Sequence, residues 1–179
     1  ANSEIGTVQP ISEVVKIKKK KKNSSKNIPY FHIDTGSVPL YYSMDLARHG
    51  IDLLTLDAAK MYGPKGVGAL YVKSGTQLKP IIFGGGQERG LRSGTENLQG
   101  VAGLTTALED AGKNRIEESK RLSLIRDYCI EQIQLNFPEA ILNGSTKHRM
   151  PNNVNFCFKG LDAEFATIQL DILGFAVSY

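Results

Sequence analysis

Three short, nearly continuous apolar runs, Tyr30 to Asp34, Ile51 to Leu56 and Val67 to Val72, most constrain what this chain can fold into. Runs of this length between turn signals read as strands, and runs without polar alternation belong to strands covered on both faces. Ahead of them, Ile11, Val14, Val15 and Ile17 recur at helical spacing until a lysine block and Pro29 end the helix. Ala1 to Gly6 reads as a strand end and its turn, and Leu40 to Gly50 as a partly helical connection. Helix alternating with strand argues for a layered α/β domain.

The second half changes period. Val101, Leu104, Ala107 and Leu108, then Leu122, Ile125, Cys129 and Ile133, fall at three- and four-residue intervals across Thr95 to Gly112 and Lys113 to Phe137. These segments are two helices, or one long helix bent near Gly112. Ala140 to Leu142, Asn153 to Phe158 and Phe175 to Ser178 read as strands, with Leu161 to Leu173 a helix between the last two. This is the start of an α+β unit.

With 179 residues, 41% of them apolar, the chain can bury one core, or one and part of a second. No signal-type leader and no bilayer-length apolar run is present, so a soluble cytoplasmic protein with no membrane partner is expected. The net charge of +4 is local: Lys16, Lys18 to Lys22 and Lys26 form one block, followed from Asn23 by polar residues. Cations suit a helix C-terminus, and no aromatic residues are interleaved, so the block reads as a solvated helix end rather than a nucleic-acid or lipid site. Cys129 and Cys157 lie in apolar segments without CxxC spacing and are expected to be buried, inert thiols. His32, His49 and His148 are scattered, and no metal site follows.

Chemistry gathers around Lys60, in Leu54 to Gly66, which follows an apolar run and precedes a glycine-proline turn. Burial disfavours the ammonium form, so an enclosed lysine there has a lowered pKa and can condense with an aldehyde such as that of pyridoxal phosphate. Asp34 ends the preceding strand, where it can deliver a carboxylate to the same site. Pyridoxal enzymes need both, the amine for the covalent link and the acid on the pyridinium nitrogen. Gly84-Gly85-Gly86 is no dinucleotide fingerprint, since position 89 is Arg89; the glycines instead permit a tight loop.

Four stretches, in order, resemble the cysteine desulfurases of the class V aminotransferase group: Asn2 to Pro10, Phe31 to Asp34, Lys60 to Gly68, and Gly84 to Asn97. The resemblance runs over nearly the whole chain. It implies part of the large fold type I α/β domain of pyridoxal phosphate-dependent transferases, with 1–112 in the cofactor-binding unit and 113–179 in a small α+β unit. It also implies pyridoxal 5'-phosphate as cofactor, Lys60 as the catalytic lysine, and Asp34, Ser37, Ser3 and Thr95 as cofactor contacts. Thr95 would reach the cofactor phosphate of a neighbouring subunit, making a homodimer part of the mechanism. Ser93 and Thr95 also suit N-capping of the following helix, and Arg92 either orders the loop, favours anions or pairs at the surface. The implied reaction removes sulfur from L-cysteine, giving alanine and an enzyme persulfide that a sulfur-acceptor scaffold protein takes on for iron-sulfur or thio-cofactor assembly. A related class V lyase or aminotransferase, such as one acting on selenocysteine, and an inactive scaffold remain alternatives.

Departures from the pattern shape the expectations. Ser37 stands where the group has a glutamine, Asp57-Ala58-Ala59 where it has Ser-Gly-His, and Ser3 in place of a second asparagine. Weaker cofactor affinity is expected, and Asp57 would repel phosphate unless turned away. The group's nucleophilic cysteine lies beyond a stretch matching Gly174 to Ser178, and its ring-stacking histidine lies upstream of Ala1. The sequence therefore reads as a piece that would not desulfurate cysteine unaided, with exposed apolar surface and a tendency to self-associate.

Overall fold

The computed structural model describes residues 1–22, 29–44 and 50–179. Asn23 to Lys26 of the lysine block, and His49 with its neighbours from 45 onward, lie outside the described residues. Helix α1 spans Ile11–Lys22, with Glu13 in its first turn, where a carboxylate complements the helix dipole. Its buried Val15 packs so closely on the chain at Gly50 that a Cβ there would lie 2.9 Å from Val15 Cγ1. Lys18 is not a solvated lysine: its Nζ pairs with the mostly buried Asp52, which also accepts from Phe31 N at 2.7 Å. Burial pushes the Asp52 carboxyl up, but the Lys18 and Phe31 hydrogen bonds and the Lys18 and Lys73 charges outweigh it, and its pKa falls below the ordinary value.

The expected strands form, trimmed at their ends. β1 (His32–Asp34), β2 (Leu53–Asp57) and β3 (Gly68–Val72) make one sheet in that order. β1 runs parallel to β2 with Asp34 opposite Thr55, and β3 runs antiparallel to β2 with Gly68 opposite Asp57. Coverage is less complete than the apolar runs suggested. Leu54 of β2 is fully buried, but β3 is an edge strand whose Leu70 is half exposed. A continuous apolar run records the surroundings a strand suits, and the described residues leave Leu70 only partly covered.

The long periodic region is one unbroken helix, α2, Leu98–Asn136. Gly112 does not interrupt it; an isolated helical glycine costs only about 1 kcal/mol relative to alanine. Leu104 of α2 joins Ala58 and Met61 in the core cluster, with Leu40, Leu56, Val67, Ala107 and Leu108 packed around it. Beyond α2, β4 (Ile141–Leu142) and β5 (Phe156–Cys157) pair antiparallel, and α3 covers Ala163–Ile172. Two expectations fail here. Phe175 to Ser178 is not a strand, because no described segment offers its backbone a ladder. Cys157 is exposed and Cys129 half-buried, because Cys157 alternates outward from Phe156 on β5 and Cys129 sits on a helix with few neighbours.

Candidate functional site

The parallel pairing of β1 and β2 sets Asp34 and the segment after Asp57 at the same end of the sheet, the carboxyl ends of two parallel strands, where α/β proteins place their ligands. Past β2 the chain makes a 3-10 turn over Ala58–Met61, capped by Asp57 Oδ1, which accepts from Ala59 N at 3.0 Å. Asp57 is thereby turned to its own backbone. In a 3-10 helix residues three apart eclipse, so Ala58 and Met61, 0% and 1% exposed, enter the core together. Lys60 is left on the open side, exposed rather than enclosed. The buried amine expected from the sequence is not formed by the described residues, because the turn's two apolar side chains take the inward positions. Tyr62 closes the turn in the left-handed region at φ 62°.

After β1, Thr35 is buried and its hydroxyl donates to Thr55 O at 2.6 Å, fixing the loop that follows Asp34. Gly36 N donates to Asp34 Oδ1 at 3.1 Å. Gly36 has φ +41°, and a Cβ there would meet Lys60 Cδ at 3.4 Å and Nζ at 3.9 Å, so the lysine stem lies along this loop. Ser37 begins the short 3-10 turn Val38–Leu40 without spending its hydroxyl on the cap.

Asp34, Ser37, Lys60 and Ser3 line one cleft of about 190 Å³, together with Asn2, Thr35, Gly36, Met150, Asn152 and Asn153. A larger groove of about 720 Å³ runs between the lysine turn and α2 past Leu40, Tyr62, Pro64 and Ala107. Volume favours the groove; the acid, amine and hydroxyls converge on the smaller cleft. Met150, Asn152 and Asn153, from the far end of the chain, are among the members that the sequence reading does not include. The apolar pattern starts a strand at Asn153, whereas Pro151-Asn152 is a turn, and a proline-asparagine pair is itself a turn signal.

Thr95 is not brought to this cleft. It is exposed, on the loop before α2, and neither it nor Ser93 caps that helix: Asn97 Oδ1 does, accepting from Gly100 N at 3.0 Å. Asparagine caps as well as serine does, and Ser93 is instead buried beneath Gly84, where a Cβ would come within 3.1 Å. Gln87 Oε1 braces the loop by accepting from Gly94 N at 3.0 Å, and Arg92 donates to Ser93 O. Glu88 and Arg89 both sit at positive φ, 47° and 58°, a strained pair for residues with side chains.

Among the described residues no helix is long and apolar enough to cross a membrane. The chain spans somewhat under half the length of the relatives it matches. It is 46% identical over 176 residues to the cysteine desulfurase IscS of Clostridium botulinum (strain Hall), covering 97% of this chain and 43% of that protein. A solved NifS-like protein superposes with a TM-score of 0.90 at 32% identity, over 99% of this chain and 47% of that one. The NifS-like protein from Rickettsia africae gives 0.87 at 30% identity, over 99% and 48%. The α/β arrangement is therefore part of the fold of pyridoxal phosphate-dependent, NifS-like enzymes. The aminotransferase class-V family profile matches residues 1–179 from end to end, and this chain belongs to that family.

Proposed function

We propose that the cleft between Asp34 and Lys60 holds pyridoxal 5'-phosphate, and that the protein to which this chain belongs is a cytoplasmic cysteine desulfurase acting on L-cysteine. The observation that carries this reading is the convergence of Asp34, Ser37, Ser3 and Lys60 on one cleft from three separate stretches of sequence. The donor set suits the group: a carboxylate for a ring nitrogen, an amine for an aldehyde, hydroxyls for the remaining polar edge. When bound, the cofactor supplies an electron sink that weakens bonds at the substrate α-carbon.

The chain's own residues do the rest. Lys60 Nζ would be the amine that holds the cofactor aldehyde, and it would serve as the base that takes and returns the proton of the substrate α-carbon. Asp34 would face the ring nitrogen with its carboxyl group and so would help hold the ring. Gly36 leaves the lysine stem free to swing, since a larger residue there would meet it. Ser37 and Ser3 offer hydroxyls to the cofactor's polar edge. Thr95, which lies away from this cleft and is exposed, would reach the cofactor phosphate of a second copy of the chain in a homodimer. The sulfur leaves as a persulfide on a cysteine other than Cys129 and Cys157 and passes to a scaffold protein. Residues 1–112 belong to the cofactor-binding unit and 113–179 to the small unit.

Incubation with pyridoxal phosphate, borohydride reduction and peptide mapping tests the reading. Lys60 is expected to be labelled in preference to the lysines of α1, and Lys60→Ala to lose that label while melting as before. Label spread over Lys16 to Lys21, or an unchanged visible spectrum in Lys60→Ala, would sink it.

A further inference from the structure

One wall of the cleft is not built on the sheet. The turn Asn2 to Ile5 is folded on itself by Asn2 Oδ1, which accepts from Glu4 N and Ile5 N at 2.9 and 3.0 Å. It is then fastened from outside: the Asn153 side-chain amide donates to Glu4 O at 2.8 Å and Ser3 O at 3.2 Å, and its Oδ1 accepts from Arg149 Nη1 at 2.8 Å. A guanidinium can only donate and a carbonyl can only accept. With Oδ1 committed to Arg149, the amide has one orientation that satisfies both sides, so Arg149 decides where the Asn153 donors point. Arg149 itself is 4% exposed and donates also to Ser145 O at 3.0 Å and to Asn143 O. Among the described residues its charge has no carboxylate partner, and burial together with the Arg126 charge pushes its pKa down. The joint leaves no slack: Gly6, at φ +71°, could not carry a Cβ, which would lie 2.4 Å from Asn153 Oδ1.

We propose that Arg149 is a positioning residue: by orienting the Asn153 amide it sets the place of the Ser3 wall relative to Lys60, and thereby how firmly the cleft retains a phosphorylated aldehyde. This rests on the cofactor reading above and extends it to residues that do not touch the reacting atoms.

Two variants of the 179-residue chain test it. Asn153→Asp keeps the acceptor for Arg149 but turns a second carboxylate oxygen against two carbonyls. Arg149→Met keeps comparable bulk and frees the amide to flip, but takes the donor away from the Ser145 and Asn143 carbonyls, so it lowers stability more than Asn153→Asp does. Each is expected to melt cooperatively, Asn153→Asp nearer the parent than Arg149→Met, to lose about tenfold in Lys60 labelling at subsaturating pyridoxal phosphate, the worth of one hydrogen bond to a charged or oriented group, and to exchange the Glu4 and Ile5 amides faster. Amides of Ala58 to Met61 should be unchanged. Faster exchange with undiminished labelling would make Arg149 merely structural and overturn the proposal, as would unchanged exchange. Unlabelled Lys60 in the parent would instead overturn the cofactor reading and the claim on retention with it, leaving exchange at Glu4 and Ile5 to decide the clamp alone.

Discussion

The lysine turn and the C-terminal segment are both rich in apolar residues, yet they meet opposite fates. Ala58 and Met61 are 0% and 1% exposed, whereas Ile172, Leu173 and Phe175 are 72%, 70% and 61% exposed. The turn sits where β2 delivers it against α2, so its apolar side chains have a surface to meet and its polar one has a cleft. The C-terminal segment is also apolar and meets no such surface among the described residues. Apolar patterning states what needs covering; only topology decides whether it is covered.

Deleting packing at the turn should break the contrast most. Met61→Ala removes a fully buried side chain from the Ala58–Leu104 cluster and is expected to cost about 2–5 kcal/mol in a urea melt. It should also reduce Lys60 labelling, because the turn's inward anchor is lost. A loss below about 0.5 kcal/mol would mean the turn is no better packed than the C-terminal segment.

Asp52→Asn sharpens the comparison by removing the ion pair that ties α1 to the sheet. Its expected cost is about 1–3 kcal/mol at neutral pH, the worth of a charge-assisted hydrogen bond. Folding lowers this carboxyl below its ordinary value of 3.8, so the unfolded chain binds more protons near that pH. The contribution is fully present above the ordinary value and is lost as pH falls through the lowered folded one. Parent and variant melting temperatures should therefore converge on acidification, and parallel curves down to the lowest pH at which the chain folds would refute the pairing.

The smallest effect is expected where the apolar residues are least engaged. Ile172→Ser with Leu173→Ser should leave the melt within about 0.5 kcal/mol of the parent. Light scattering should show less self-association. A large destabilisation would mean these side chains are covered after all.

Legibility in the sequence follows the same division. The three strands, α1 and α2 were readable because local periodicity and the residues' own chain neighbours decide them. Lys60, Asp34, Ser37 and Ser3 were readable as members of a site through resemblance, since no local pattern says that Ser3 and Lys60 share a cleft. What was not readable depends on which face a short element turns inward. Lys60 is exposed because Ala58 and Met61 take the core side, and Cys157 is exposed because Phe156 takes it. The helix cap was misassigned because Ser93, Thr95 and Asn97 are near-equal candidates within five residues, and burial of Ser93 under Gly84 breaks the tie. Asn153 was invisible because its partners lie at Ser3 and Glu4, at the other end of the chain, and Arg149 because it reaches that turn only through Asn153.

The unbroken α2 has a consequence for how such a chain tolerates change in length. It touches the lysine turn through Leu104 and, further along, holds the Arg149 and Met150 carbonyls through Arg126 Nη1 at 3.2 and 3.1 Å. Those two attachment points are about 33 Å apart at helical rise. The opposite walls of the cleft thus share one ruler, and its gauge is a count of residues. Side chains on its outer surface can vary freely, but one inserted residue would shift the far wall by about 1.5 Å and swing it through about 100°.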